Sequence, residues 1–203
     1  MPDVLERAPT GRAKCRGCGK AIEKGELRFG EALPNPYREG DAVYWLHPGC
    51  AALMRPEKWM ALARSQAVDV PDRDELERAA EQGIAHPQLT KLARALRSPS
   101  GRARCRQCRN VIDKDAWRLD LQEFEEGRFG AGGSVHVACA TSYFGTADIL
   151  SRIVRLTPEL GDGDRTEIEQ LLVAPAPHPA EPALAKTSGE TEENAAPEQK
   201  GTG

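Results

Sequence analysis

Residues 11–18 read GRAKCRGC, and residues 101–108 read GRARCRQC, ninety positions further along the chain. The segment HPGC at residues 47–50 returns as HVAC at residues 136–139, with an offset of 89. Similarity at a fixed offset is the mark of an internal duplication. The chain therefore contains two copies of one module, and the second copy has lost one residue between its two halves.

Each copy supplies the four side chains that a tetrahedral zinc site needs. The pattern uses all six cysteines and two of the four histidines. Three thiolates and one imidazole leave no open coordination position, so we predict two structural Zn²⁺ ions and no zinc catalysis. The predicted ligands are Cys15, Cys18, His47 and Cys50 in the first module and Cys105, Cys108, His136 and Cys139 in the second. Buried reduced cysteines with incidental histidines are the competing interpretation, which the repetition disfavours.

Length and composition limit the class of protein. With 203 residues and 5% aromatics, the chain has room for one or two small domains, which commonly need a metal or disulfides. No stretch reaches the roughly 18 apolar residues of a membrane span, and residues 1–12 lack the apolar core of a signal peptide. We therefore expect an intracellular monomer without membrane contact, in the cytoplasm or nucleoid of a bacterium or the nucleus of a eukaryote.

The charge is distributed unevenly around a net value of −3. Residues 12–28 hold six basic and two acidic side chains, and residues 102–118 hold the same numbers. A solvated surface is the ordinary explanation for one such run, but the recurrence in both modules favours a polyanionic partner. The last thirty residues carry five glutamates against two lysines and have the composition of a disordered tail.

The residue pattern predicts a small, zinc-stabilised α+β fold in which each module has short antiparallel strands followed by a helix. We place the strands at residues 27–33, 42–46, 117–124 and 134–137, with turns at 34–40 and 125–133. Polar helices are predicted at residues 72–85 and 87–97. The predicted domains are a first finger at residues 8–68, a helical linker at 69–98, a second finger at 99–157, a C-terminal helix at 158–173 and a disordered tail at 174–203.

The residues around the ligands resemble the poly(ADP-ribose) polymerase-type zinc finger. The resemblance rests on residues 11–18, 22–28 and 45–50 of the first module, and residues 33–37 are also similar to a loop in the finger of a eukaryotic nuclear DNA ligase. The second module keeps residues 101–108, 112–114 and Arg118, but has Ser134-Val135 where the family has Trp-Tyr. The resemblance covers about 45 residues of each half of the chain.

The resemblance implies recognition of DNA ends, nicks or gaps by shape, in DNA repair or damage sensing. Basic side chains of the family hold the phosphate backbone, and an apolar loop stacks on exposed bases. By matching position, Arg12, Arg28, Arg102 and Arg118 would bind phosphate. The neighbouring cations would assist them: Lys14, Arg16, Arg104 and Arg106. The stacking candidates are Leu33 and Tyr37 in the first module and Phe124 and Phe129 in the second.

Two other classes of function compete with DNA binding. Residues 1–173 carry no net charge and the tail is acidic, which would suit a zinc-stabilised adaptor for protein partners. Such an adaptor would bind DNA without preference for ends. An enzyme is not expected, because no catalytic constellation is visible and residues 130–133, although rich in glycine, lack the flanks of a nucleotide-binding loop. A repair protein is the expected partner besides DNA.

Overall fold

The computed structural model describes residues 2–35, 38–66, 68–125 and 128–178. Tyr37 and residues 179–203 of the predicted tail lie outside these ranges. The described residues form six strands: β1 (Val4–Arg7), β2 (Leu27–Pro34), β3 (Asp41–Leu46), β4 (Leu92–Arg97), β5 (Trp117–Glu125) and β6 (Arg128–His136). They also form the helices α1 (Pro48–Met54), α2 (Pro56–Ser65), α3 (Arg73–Ala85), α4 (Ala140–Phe144), α5 (Leu150–Leu156) and α6 (Asp162–Val173), with 3-10 helices at Pro87–Lys91 and Val137–Cys139.

The strands make two antiparallel sheets of the same design, ordered β1-β2-β3 and β4-β5-β6. Phe29 of β2 lies between Leu5 and Leu46, and Leu119, ninety residues later, occupies the corresponding place in β5. Phe29 and Leu119 are both fully buried. The duplication seen in the sequence is therefore a duplication of the sheet, and the small α+β class is confirmed.

The first strand of each sheet differs from the prediction. The helix expected at residues 87–97 is wrong, because a 3-10 helix at Pro87–Lys91 leads into β4, which pairs with β5. A strand this short gives too little periodicity to be told from a helix. The repeat carries the missed signal, since Arg7 and Arg97 occupy equivalent positions. Their Nη1 atoms donate to the carbonyls of Gly25 and Asp115 in the equivalent turns.

The turn predicted at residues 125–133 is also wrong over most of its length, because β6 begins at Arg128. Its glycine-rich part pairs with β5 across a bulge at Leu121. Gly133 has φ of +94°, and a Cβ atom there would lie 2.5 Å from Nε of Arg106. The same Nε donates to the carbonyl of Gly132 at 3.0 Å. Glycine is thus needed where the Arg106 side chain crosses the strand.

Helices follow each histidine and close the core. Pro48 and Pro56 occupy the first turns of α1 and α2, where the missing N–H has no helical partner to lose. Trp59 of α2 is fully buried and meets Phe29 edge-on, with ring centroids 6.4 Å apart. The helix predicted at residues 72–85 is confirmed as α3. Within the described ranges, none of the helices has the length and apolar character to cross a membrane.

The two modules dock on each other through the helices. Arg152 of α5 is 1% exposed, and its guanidinium donates to the carbonyl of Leu53 in α1 at 2.6 Å and to that of Ala79 in α3 at 2.9 Å. Nearby, Nε2 of Gln82 donates to the carbonyl of Asp148 at 2.6 Å. Burial lowers the pKa of Arg152 to about 10, so the side chain stays charged at neutral pH. One buried cation therefore joins helices of both modules.

Candidate metal centres and nucleic-acid interface

The first metal centre is assembled from three parts of the chain. Cys15 and Cys18 lie in the turn before β2, His47 follows β3, and Cys50 lies in α1. Their four ligand atoms lie within 4.8 Å of one another. The Sγ of Cys18 is 3.4 Å from Nδ1 of His47, and the backbone N–H of His47 donates to Sγ of Cys15 at 3.4 Å. This spacing suits one ion with Zn–S bonds of about 2.3 Å.

The second metal centre repeats this geometry. The four ligand atoms of Cys105, Cys108, His136 and Cys139 again lie within 4.8 Å of one another. The Sγ of Cys108 is 3.4 Å from Nδ1 of His136, and the N–H of His136 donates to Sγ of Cys105 at 3.4 Å. The structure thus brings the eight predicted ligands together in two clusters that can each hold zinc.

A backbone carbonyl orients each imidazole. Nε2 of His47 lies 3.1 Å from the carbonyl of Ala21, and Nε2 of His136 lies 3.2 Å from that of Val111. A carbonyl oxygen can only accept, so Nε2 carries a proton, and in the neutral imidazole Nδ1 keeps its lone pair toward the thiols. Outer hydrogen bonds of this kind fix the orientation of zinc-binding histidines. Both modules therefore present Nδ1 to the metal.

The thiols of the first cluster perturb one another. Hydrogen bonding to Cys15 lowers the pKa of Cys18, so one sulfur is held as a thiolate. The same neighbour raises the pKa of His47 to about 10. Zinc needs thiolates and a neutral imidazole, so its binding must release a proton from His47. Zinc affinity at this centre consequently falls as the pH falls.

Exposed cations surround both Cys-x2-Cys turns. Arg12, Lys14 and Arg16 are exposed in the first module, and together with Val43 and Trp45 they line an open groove. The equivalent cations of the second module are also exposed: Arg102, Arg104 and Arg106. Six of the eight predicted phosphate-binding side chains therefore lie at the surface, three beside each metal centre.

The other two predicted phosphate-binding residues lie deeper. Arg28 is 7% exposed, pairs with the carboxylate of Glu6, and lies 3.4 Å from the centre of the Trp45 ring. Nε of Arg118 lies 3.0 Å from a carboxylate oxygen of Asp120. Arg28 thus links β2 to β1, whereas Arg118 pairs within β5, and the contact of both arginines with DNA stays a prediction.

The predicted stacking residues differ in how much of each side chain is exposed. Leu33 is 8% exposed and has little surface to offer a base. Phe124 and Phe129 are partly exposed, and their ring centroids lie 4.9 Å apart on the β5–β6 hairpin. Tyr44 of the first module meets Phe129 with centroids 6.4 Å apart. Sequence analysis missed Tyr44; it lies in a β-strand three residues before a metal ligand, which was the available signal.

Comparison with known proteins finds a matching family model and several similar proteins. The family model described as the "Poly(ADP-ribose) polymerase and DNA-Ligase Zn-finger region" matches residues 6–86. Poly [ADP-ribose] polymerase from Drosophila melanogaster is 29% identical over 133 residues, which is 59% of this chain and 13% of the relative. Poly [ADP-ribose] polymerase 1 from Gallus gallus is 26% identical over 140 residues, covering 58% of this chain and 13% of the relative.

These alignments concern a small part of each relative, since the chain spans about an eighth of their length. The family model is a zinc-finger region, and it contains the first Cys/His cluster in full. The second cluster has the same four ligand types on an equivalent sheet. Residues 6–86 are therefore similar to the zinc-finger region of poly(ADP-ribose) polymerases and DNA ligases, and the second metal centre fits a second copy of that finger.

Proposed function

We propose that this protein binds DNA strand breaks and ends without regard to sequence, and acts in DNA repair or damage sensing. The observation that carries the proposal is the placement of three exposed cations beside each of two metal centres in fingers of this family. Cations against phosphates release counterions and give affinity that does not depend on sequence. Rigid metal-held turns keep the cations in register with a backbone.

The same reasoning assigns roles to individual residues. Arg12 and Arg102 occupy equivalent positions three residues before the first cysteine of each module, and we propose that they bind phosphate. Lys14, Arg16 and their counterparts add to the local potential. Phe124 and Phe129 supply apolar rings, which stack on any base. A duplex end exposes a base face without the cost of unstacking an intact step.

We further propose that the protein is a binding protein without catalytic activity of its own, working in the nucleoid or nucleus beside a repair enzyme. The two metal centres have closed ligand sets, so zinc would serve the fold rather than a reaction. The relatives are named as polymerases of ADP-ribose, but this chain spans only 13% of the Drosophila melanogaster relative, and the family model that it matches is a zinc-finger region. The role here is therefore recognition of DNA.

A fluorescence anisotropy titration at near-physiological salt tests this function. One probe is a hairpin duplex with a single blunt end, and the other is a closed dumbbell of the same sequence. We expect tighter binding to the hairpin, and loss of binding to both probes after chelation of zinc. Equal affinity for hairpin and dumbbell would overturn end recognition and leave a general DNA-coating role.

Absence of binding to either probe would favour the alternative function, a protein-interaction adaptor. That function predicts a protein partner that stays bound to the immobilised protein after nuclease treatment. Recovery of DNA alone would count against it. The two functions are thus separated by the same preparation of protein.

A further inference from the structure

The two modules meet along a row of three aromatic rings with a cation at each end, here named the inter-module row: Arg16, Tyr44, Phe129, Phe124 and Arg55. Arg16 lies 5.3 Å from the Tyr44 ring centre, and Tyr44 and Phe129 are 6.4 Å apart. Phe129 and Phe124 are 4.9 Å apart, and Arg55 lies 4.2 Å from the Phe124 ring centre. The two phenylalanines come from the second module and the other three residues from the first, so the row exists only while the modules are docked.

A cleft of about 320 Å³ opens beside the phenylalanine end of the row. Phe124 and Phe129 form its aromatic side, and Lys91 gives it a cation from the segment between the modules. Gln122 and Glu123 add an amide and a carboxylate. Nε2 of Gln122 is a buried donor without a hydrogen-bond partner among the described residues. The cleft therefore combines aromatic surface, positive charge and groups that can bind the polar edge of a base.

Arg55 is fixed in place at the end of the row. Its Nε and Nη2 atoms donate to the two carboxylate oxygens of Glu31 at 2.6 and 2.5 Å. Nζ of Lys58 lies 2.8 Å from one of the same oxygens, and the Glu31 side chain is 1% exposed. Nζ of Lys58 also lies 3.4 Å from a carboxylate oxygen of Asp3, so two carboxylates balance the two cations at this end of the row. The cations that face a phosphate are then Arg16 at the other end of the row and Lys91 in the cleft.

We propose that the inter-module row and its cleft bind the unpaired nucleotides of a single-stranded tail at a DNA end. This inference rests on the proposed function and names the substrate more closely. Three partly exposed rings offer stacking surface to unpaired bases, and the cations beside them offer charge to the phosphates of a single strand. The steps of the row, 4.2 to 6.4 Å, exceed the 3.4 Å rise of a stacked duplex strand and suit an extended strand. The tail would run from the basic groove near Arg16 toward Lys91.

The test adds a third probe to the hairpin and dumbbell: the same hairpin with an unpaired tail of four thymidines at its open end. Anisotropy titrations with the full chain should give an affinity for the tailed hairpin about tenfold above that for the blunt hairpin. A 2-aminopurine at the second tail position should lose fluorescence on binding, because it stacks on a ring of the row. Both 3′ and 5′ tails are measured, since the row fixes no polarity.

Two variants locate the site, and both leave the exposed cations at the metal centres in place. Tyr44→Leu removes the ring next to Arg16, and Lys91→Gln removes the cation of the cleft. Each should reduce the tail-dependent gain at least threefold, and Tyr44→Leu should also weaken the 2-aminopurine response. Arg64→Gln, on an exposed face of α2, is the matched charge control and should keep the full gain.

Equal affinity for tailed and blunt hairpins would overturn the inference, while preference for the blunt hairpin over the dumbbell would still support the proposed function. A tail-dependent gain that survives in both variants would also overturn it, because the nucleotides would then lie elsewhere. Failure of the proposed function is read separately, from equal affinity for blunt hairpin and dumbbell. Melting temperatures of the variants confirm that each is folded before its binding is compared.

Discussion

At the scale of single residues, the metal ligands were the most predictable part of the molecule. Zinc accepts few donor types, so eight cysteines and histidines at repeated spacing left little choice. The orientation of His47 and His136 was beyond prediction, since it depends on the carbonyls of Ala21 and Val111, which any residue would supply. Backbone partners carry no sequence signal. The same applies to Arg152, whose two acceptors are carbonyls in other helices.

Gly19, directly after the first Cys-x2-Cys turn, gives a prediction at this scale. It has φ of +73°, and a Cβ atom would meet nothing within 4 Å, so backbone strain alone would oppose a side chain. Gly19→Ala should lower the free energy of unfolding by about 1 kcal/mol. The equivalent residue, Arg109, tolerates φ of +67°, so the variant should still fold. Urea unfolding measures the change.

Gly163→Ala is the control for that substitution. Gly163 lies in the first turn of α6 and also has open space around it, but its backbone is helical. Alanine stabilises a helix more than glycine does, so this variant should match or exceed the stability of the wild type. Equal losses at positions 19 and 163 would show that φ at Gly19 is not the cause.

Arg152→Met gives a second prediction at this scale. The substitution keeps the length of the side chain but removes the two hydrogen bonds to the carbonyls of Leu53 and Ala79. We expect a loss of about 3 kcal/mol in the free energy of unfolding. Arg64→Met, at an exposed position on α2, should change stability by less than about 0.5 kcal/mol. A similar small effect at both positions would contradict the role given to Arg152 in docking.

At the scale of elements, strands next to the metal ligands were predictable, and the first strand of each sheet, β1 or β4, was not. β2 follows the two cysteines of the turn and β3 ends just before His47, so the ligands mark both strands in the sequence. β4 is preceded by Pro87, which suggested the start of a second helix. Pairing with β5 decided the conformation, because local propensity is weak beside a sheet partner. Comparison of Arg7 with Arg97 across the repeat would have identified β1 and β4 as equivalent strands. Repeats should therefore be extended beyond the motif that reveals them.

Removal of zinc gives a prediction for these elements. Each sheet has three short strands, and Cys15 and Cys105 fix the chain before the central strand to the histidine after the third. Without the metal we expect loss of most far-ultraviolet circular dichroism, since binding energy here is folding energy. Added Zn²⁺ should restore the signal and added Mg²⁺ should not, because thiolate ligands select zinc. An unchanged spectrum and thermal melt after chelation would refute structural zinc.

At the scale of the whole molecule, docking turns two fingers into one body with a continuous core. The sequence predicted a tandem pair and a linker, but it did not predict that α5 of the second module would lie on α1 of the first. That contact also creates the inter-module row. The arrangement presents two groups of exposed cations in a fixed relation, which suits a partner with a regular negative backbone.

The salt dependence of DNA binding gives a prediction for this arrangement. Six exposed cations beside the metal centres set an upper limit on the number of phosphates neutralised there. A plot of log affinity against log salt should therefore have a slope of about −3 to −5 for a duplex. Anisotropy titrations between low and near-physiological salt provide it. A slope near zero would exclude phosphate contacts as the source of affinity.

Charge reversal at Arg12 and Arg102 tests whether the cations of both metal-held turns bind DNA. The measurement is the affinity of the Arg12→Glu, Arg102→Glu double variant for the blunt hairpin at near-physiological salt, beside Arg64→Glu as control. We expect a loss of at least about 100-fold in the double variant, with two bound zinc ions and an unchanged thermal melt, and little change in the control. Unchanged affinity in a folded, zinc-loaded double variant would contradict it.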